Sequence, residues 1–369
     1  MRRVSLQSND YLRSMKQSFN EQLELLKKLI ATPRITRSEQ EAHAIIKAHM
    51  EAHGYKPECI GLNLLCYPHS YDTSKPTLLL NSHIDTVKPV AGWKHDPFSP
   101  VTENGCLYGL GSNDDGAGLV SLLYTFYELD KKPQAYNPLF LATVEEEVNG
   151  TGGMKLAVQN LPKIDVALIG EPTGMQPAIA EKGLMVLDFT VHGKAGHAAR
   201  NEGINALYRA VELIEKLRMF SFDKVSDLLG PVKFTITMIN AGTQHNVIPD
   251  TCTFTADVRT NELYTNREVF DMISSLLPEW CEVKARSFNL NSSRIDVNHP
   301  LIRKTVSLGL VPYGSPTLSD QAILDCPSFK MGPGESSRSH TADEFIKLTE
   351  LEQALPVYMN LLDGLCFSE

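Results

Sequence analysis

The short apolar run Thr77-Leu78-Leu79-Leu80 breaks at once into Asn81-Ser82-His83-Ile84-Asp85, and no other junction in the chain constrains the fold as much. A run this short and this apolar lacks the spacing of a surface helix and suits a strand buried on both faces. The pattern recurs at 139–144, which is closed by Glu145-Glu146-Glu147, and at 166–169, which is closed by Gly170-Glu171. Helical stretches alternate with these strands. Residues 18–31 place Leu23, Leu26 and Ile30 on one stripe, 38–52 forms a second helix ending at Gly54, another helix follows 114–118, and one begins near Gly153. Alternation of this kind predicts an α/β layer, with a mixed, largely parallel sheet flanked by helices. Ligands of such sheets bind beyond the C-terminal strand ends, which is where this chain puts its acids and histidines.

Around residue 180 the pattern changes. Residues 184–192 alternate, 204–218 reads as a helix, 232–239 and 251–258 alternate again, and a helix at 266–277 precedes a strand near 282–288. The order β-α-β-β-α-β predicts a small ferredoxin-like α+β domain with one solvated sheet face. From about 290 the α/β character returns, ending in a helix at 348–364. The expected organisation is a discontinuous catalytic domain, 1–180 with 290–369, and an inserted domain at 181–289. The first ten or so residues read as a loose extension.

A chain of 369 residues allows about two to three domains. Hydrophobic residues at 42% and charged residues at 21% exclude disordered and collagen-like classes. No apolar run approaches the roughly 18 residues of a membrane span, and MRRVSLQSNDYLRSMKQS has no secretory h-region, so a cytoplasmic protein is expected. Seven cysteines, odd in number and scattered, argue against a disulfide framework or a Cys-ligated zinc and suit a reducing compartment. A formal net charge of −9 argues against nucleic-acid and anionic-membrane partners.

Taken singly, the polar groups at the strand ends have ordinary explanations. Asp85 could cap a turn beside a surface histidine, Asp114 and Asp115 in GLGSNDDGAG could cap a helix, and three adjacent glutamates are often only solvated. Jointly, the histidines His83 and His340, one bridging-type aspartate and several glutamates among Glu145, Glu146, Glu147 and Glu171 supply the mixed nitrogen and oxygen donors that a two-metal site needs. Such a site also needs one acid that is not a ligand, to move a proton.

The order of these motifs resembles the di-zinc aminoacylase and carboxypeptidase superfamily, within it the acetylornithine deacetylase and succinyl-diaminopimelate desuccinylase branch. The motifs are His-x-Asp, Gly-Ser-x-Asp, Glu-Glu, Gly-Glu-Pro-Thr, Gly-His before Asn-Ala, and Gly-Pro-Gly before the last His. The resemblance implies that His83 and Glu171 bind one metal, Glu147 and His340 the other, and that Asp114 bridges them across a cis peptide to Asp115. It implies that Asp85 orients His83 and that Glu146 is the general base; Glu145 receives no role. GKAGHAARNEGINA resembles a segment whose histidine reaches the partner subunit's site, implying a homodimer through the inserted lid domain, with His197 on the oxyanion. HNVIPD and ADVRT imply Asn246 and Arg259 as carboxylate-gripping groups, and GPGESSRSHT offers Glu335 for a substrate amine.

The implied reaction is cleavage of an N-acyl amino acid amide by metal-bound hydroxide. N2-acetyl- or N2-succinyl-L-ornithine would be the substrate, in arginine biosynthesis, with zinc as the default metal and cobalt or manganese also accepted. A dipeptidase, aminopeptidase or general aminoacylase would share this metal core. A phosphoesterase fits the charges alone, and a non-catalytic metal-binding protein would have no use for Glu146. The chain departs from the family's Arg-Gly-Ser-x-Asp-Met-Lys-Gly, reading Leu110-Gly111-Ser112-Asn113-Asp114-Asp115-Gly116-Ala117. The missing Arg and Lys put substrate selection in doubt, not metal binding.

Overall fold

Four strands run parallel at the centre of the larger sheet, in the spatial order Asn137–Thr143, Thr77–His83, Val166–Ile169 and Ser328–Lys330. Asn63–Cys66 and then Glu58–Ile60 extend it antiparallel on one side, and Ala178 pairs antiparallel with Lys330 on the other. The computed structural model describes residues 2–200 and 202–367, which fall into two compact units. The first runs up to Ile179 and includes Ile295–Tyr313 and the chain from Ser319; the second comprises Ala180–Arg294 and Gly314–Leu318.

In the first unit the central strands are buried along their whole length, as their near-continuous apolar sequence requires. The strand predicted at 77–80 continues to His83 because its polar residues find partners inside the sheet. Asn81 donates from Nδ2 to the Leu141 carbonyl and to Thr143 Oγ1, both at 3.1 Å. The parallel alignment brings four C-terminal strand ends to one edge, from which His83, the 145–147 turn, Glu171 and the 332–340 segment emerge.

The helix Ala117–Asp130 is apolar on nearly every face and buried accordingly, packed against Leu348–Leu362 and Arg2–Ala31. The latter takes in the residues expected as a loose extension, whose backbone is helical from Arg2. The helix predicted from residue 18 begins at Arg2, since no glycine or proline interrupts residues 2–31. A small antiparallel sheet of Phe345–Lys347, Cys106–Tyr108 and Val101–Glu103 fixes the entry to the 109–116 loop beside the chain that follows His340.

The second unit is a four-stranded antiparallel sheet in the order Lys233–Ala241, Thr251–Arg259, Met185–His192, Cys281–Ala285, with helices Ala206–Met219 and Asn266–Ser275. Burial alternates along Met185–His192 and Thr251–Arg259, and one face packs Leu187, Phe189, Phe254 and Val258 with Leu213 and Val269 of the helices. Asn205 caps the first helix and Thr265 forms a capping box with Glu268 on the second. Among the described residues, no helix is long and apolar enough to cross a membrane.

Candidate active site

His83 ends the central strand, and its Nδ1–H donates to the backbone carbonyl of Asp85 at 2.9 Å. A carbonyl can only accept, so Nδ1 carries the proton and Nε2 is left to face Asp114 Oδ1 at 3.2 Å. Asp114 lies in the tight turn Ser112–Gly116, and its peptide bond to Asp115 is cis, as the family resemblance implies. From the far end of the chain, His340 Nε2 comes within 3.0 Å of Glu147 Oε2 and 3.6 Å of Asp114 Oδ2. The Asp114 carboxylate therefore offers one oxygen to each histidine. His83, Asp114 and Glu147 each present a ligand atom, all within 4.8 Å of one another. Imidazole nitrogens and carboxylate oxygens converging this closely suit borderline divalent cations, and these residues fit a metal site of that kind.

The electrostatics agree with the need for a cation. Burial pushes Glu146 well above the ordinary carboxylate range, and Glu171, Asp320 and Glu147 add to the shift against the pull of His83. Burial likewise raises Glu171, which feels Lys330 on one side and Asp114 and Asp115 on the other. Burial opposes charge on the His83 ring, but Asp114 and Asp85 overcome it and hold the ring protonated well above its usual range. His340 is raised to about 8, chiefly by its hydrogen bond to Glu147. Asp115, fully buried, is pushed up to about 7 by burial and accepts the Ser82 hydroxyl at 2.5 Å. A Cβ at Gly118 would lie 2.2 Å from Asp115 Oδ1, so only glycine lets the following helix start beside this acid.

The backbone of the site is held by Asp85 and Glu145 together with Arg34, Glu39 and Glu344, which the sequence pattern does not single out. Asp85 was expected to orient His83 through its carboxylate. Its Oδ1 stands 3.6 Å from Nδ1, and the backbone carbonyl makes the closer contact. The carboxylate instead accepts the N–H of Glu146 at 3.1 Å, the N–H of Glu147 at 3.3 Å and the Thr36 hydroxyl at 2.8 Å. Fully buried Glu39 accepts the Glu145 N–H at 3.4 Å. Glu145, in the left-handed region at φ 56°, accepts the Gly152 N–H at 3.1 Å and so closes the glycine turn. Buried Arg34 donates to the carbonyls of Ile84 and Gly111 at 2.5 and 2.7 Å, joining two loops of the site. Glu344 accepts three N–H groups from the 111–114 turn. In sequence Arg34 follows a proline, Glu39 stands just before a helix and Glu344 follows Asp343, with no motif to mark their role.

The model of peptidase family M20/M25/M40 matches residues 79–364, which take in His83, Asp85, Asp114, Glu146, Glu147, Glu171, His340 and Glu344. The chain belongs to that family. It is an M20 hydrolase, and enzymes of this family depend on metal. It is 29% identical to an acetylornithine deacetylase of Proteus mirabilis, over 94% of this chain and 97% of the other. It is 26% identical to a succinyl-diaminopimelate desuccinylase of Wolbachia from Brugia malayi, over 92% of each. Among solved structures it is similar to a tripeptidase of Staphylococcus aureus, with a TM-score of 0.73 at 23% identity over 93% of this chain and 97% of the other. A dinuclear metal-binding M20 peptidase of Bacillus subtilis gives a TM-score of 0.73 at 17% identity, over 95% and 100%. These two likenesses carry the M20 fold, a mixed α/β sheet with flanking helices.

The remaining candidate residues of this M20 chain divide between the units. Glu335, in the first, is exposed, and its backbone exchanges hydrogen bonds with the Asn113 side chain at 3.0 and 3.1 Å. In the second, Gly196–His197 pairs antiparallel with Val247–Ile248, and Ala198 donates to the Asn246 carbonyl at 3.0 Å, so exposed His197 and Asn246 are neighbours. Arg259 is already engaged: Nε and Nη2 donate to the Asp257 carboxylate at 2.8 and 3.1 Å. The other end of its guanidinium, at Nη1, lies outside that pair.

Proposed function

We propose that this M20 hydrolase removes the acyl group from an N-acyl amino acid, first of all N2-acetyl- or N2-succinyl-L-ornithine, and thereby serves arginine biosynthesis. The observation that carries the reading is the Asp114 carboxylate with one oxygen toward each of two histidines, as a ligand shared by two metals requires. His83 and Glu171 would hold one ion and Glu147 and His340 the other, with zinc the first choice and cobalt or manganese also suited to this donor set. When bound, such ions supply Lewis acidity that makes water usable as a nucleophile near neutral pH. The curated relatives named deacetylase and desuccinylase support an acyl-amino-acid substrate.

Glu146 takes the proton from the attacking water and returns it to the leaving amine. Its raised proton affinity in a half-buried, acid-rich setting suits both halves of that task. His197 would stabilise the oxyanion in the partner subunit's site of a homodimer formed through the second unit. Asn246 and the Nη1 end of Arg259 would grip a carboxylate, and Glu335 would take the substrate's free amine. Seven cysteines without a disulfide suit the cytosol, where this pathway would run.

The test is a panel of acetyl- and succinyl-ornithine, acetyl-lysine, succinyl-diaminopimelate, acetyl-methionine and dipeptides with zinc-loaded protein. Acyl-ornithine should give the highest kcat/KM. Preference for a dipeptide overturns the substrate assignment, and preference for acetyl-methionine removes the role given to Glu335. Mixing inactive His197→Ala with inactive Glu146→Gln protein tests the dimeric site, since hybrid dimers should recover activity if His197 works across subunits. Absence of recovery with demonstrated subunit exchange returns His197 to its own subunit or removes it from catalysis.

A further inference from the structure

We propose that Glu344 is the positioning residue of the metal site, its carboxylate locking the turn that carries Asp114 to the chain segment that carries His340. This rests on the reading of Asp114 and His340 as metal ligands and adds a residue that the reading leaves without a task.

Glu344 is 2% exposed and follows His340 by four residues, just before the strand Phe345–Lys347. Its Oε1 accepts the N–H groups of Asn113 and Asp114, each at 2.9 Å, and its Oε2 accepts that of Gly111, also at 2.9 Å. Three amides from four consecutive residues thus converge on one carboxylate. Main-chain amides gathered in this way form an anion-binding concavity, here filled by the protein's own side chain. The backbone carbonyl of Glu344 also accepts the Gly109 N–H at 3.0 Å, and Arg34 holds the Gly111 carbonyl. Each of these contacts, from Gly109 to Asp114, holds the main chain of the turn.

Burying a carboxylate is costly unless donors replace its water, and charge-assisted bonds to amides are the strong kind. The arrangement is thus a rigid joint. Asp114 can face both histidines only if its turn is held in register with the 340–344 segment, and ligand geometry tolerates errors of only about 0.5 Å. A solvated acid or an incidental helix cap would not spend both oxygens on a turn from the other end of the chain.

Two substitutions separate position from charge. Glu344→Gln keeps one acceptor oxygen and turns an NH2 group against a backbone N–H. Glu344→Asp keeps the charge but is one methylene short of the amides. Metal-free wild type, both variants and Asp114→Asn are titrated with zinc by calorimetry, with circular dichroism to confirm folding. Wild type should take up zinc, and both Glu344 variants should bind about 10–100-fold more weakly, the loss typical when a group that orients a ligand is removed. Wild-type affinity in Glu344→Asp would reduce the residue to a charge, and wild-type affinity in both variants would overturn the proposal outright. If Asp114→Asn binds zinc as wild type does, the metal-ligand reading itself has failed, a separate result. Hydrogen exchange on metal-free wild type guards against variants that do not fold. The amides of Gly111, Asn113 and Asp114 should be protected, and exchange at the rate of an open loop overturns the clamp.

Discussion

Asp85 and Glu146 are joined through the main chain, with Asp85 Oδ1 accepting the Glu146 N–H at 3.1 Å. The other oxygen of Asp85 holds Glu147, and its backbone carbonyl holds the Nδ1–H of His83. A single fully buried residue thus sets two candidate ligands and the candidate base in place. Asp85→Asn keeps one acceptor and points an amide at a backbone N–H. We expect kcat to fall by about 10–100-fold with little change in KM. Steady-state kinetics beside metal analysis check this, and an unchanged kcat would show that the 145–147 turn holds itself.

Glu146 makes the sharper prediction. Glu146→Gln should retain bound metal and lose about 10²–10⁴ in rate, the contribution of a general base. Loss of metal from this variant would mean that Glu146 and Glu147 have exchanged the roles of base and ligand.

Removal of metal should do two things at once. Chelation should abolish hydrolysis, with zinc or cobalt restoring it, and should lower the melting temperature because acids gathered around Asp114 then lack a counter-cation. Zinc at about a hundredfold excess over its Kd adds about 2.7 kcal/mol to stability per site. Differential scanning calorimetry of the apo and zinc-loaded protein reads this directly. Full turnover in metal-free protein would end the hydrolytic scheme.

A pH effect is expected well away from the site. His49 lies against His53 on its own helix, Glu21 and Lys28 of the N-terminal helix, and the rings of Tyr124 and Tyr127. Burial, helped by His53 and Lys28 against Glu21, pushes its ring down to about 4. The unfolded chain, with a pKa of about 6.5, then binds more protons than the fold does. The stability tied to His49 is complete above about pH 6.5 and is lost as pH falls toward 4. Urea unfolding of wild type and His49→Gln across pH 4–8 should show the variant losing less stability on acidification, and parallel curves would contradict the assignment.

The sequence made His83, Glu147 and Glu171 legible because each follows an apolar strand that has nowhere to go but the sheet centre. Once Thr77–His83, Asn137–Thr143 and Val166–Ile169 are parallel neighbours, His83, the 145–147 acids and Glu171 must share an edge. His340 was marked by its glycine- and serine-rich surroundings, but no periodic pattern links it to that edge, and its pairing with Glu147 came only from the family resemblance. The supports stayed hidden for a different reason. Arg34, Glu39 and Glu344 act on backbone amides and carbonyls, which every residue carries, so their partners leave no mark on side-chain identity. The engagement of Arg259 by Asp257 was open to view two residues away, but an alternating strand gives no sign of which same-face neighbours will pair.

The bond between Gly111 and Glu344 spans 233 residues of chain, and that between Glu147 and His340 spans 193. Contacts so far apart in sequence form late in folding. During vectorial synthesis, His83, Asp114, Glu147 and Glu171 leave the ribosome well before His340 and Glu344. On the proposed ligand set, a nascent chain would meet cellular metal with most of its ligands made but with neither His340 nor the proposed lock on the Asp114 turn. On that ligand set, hydrolytic competence waits for residues 340–344, and a chain cut short before residue 340 should be inactive rather than a weakened enzyme.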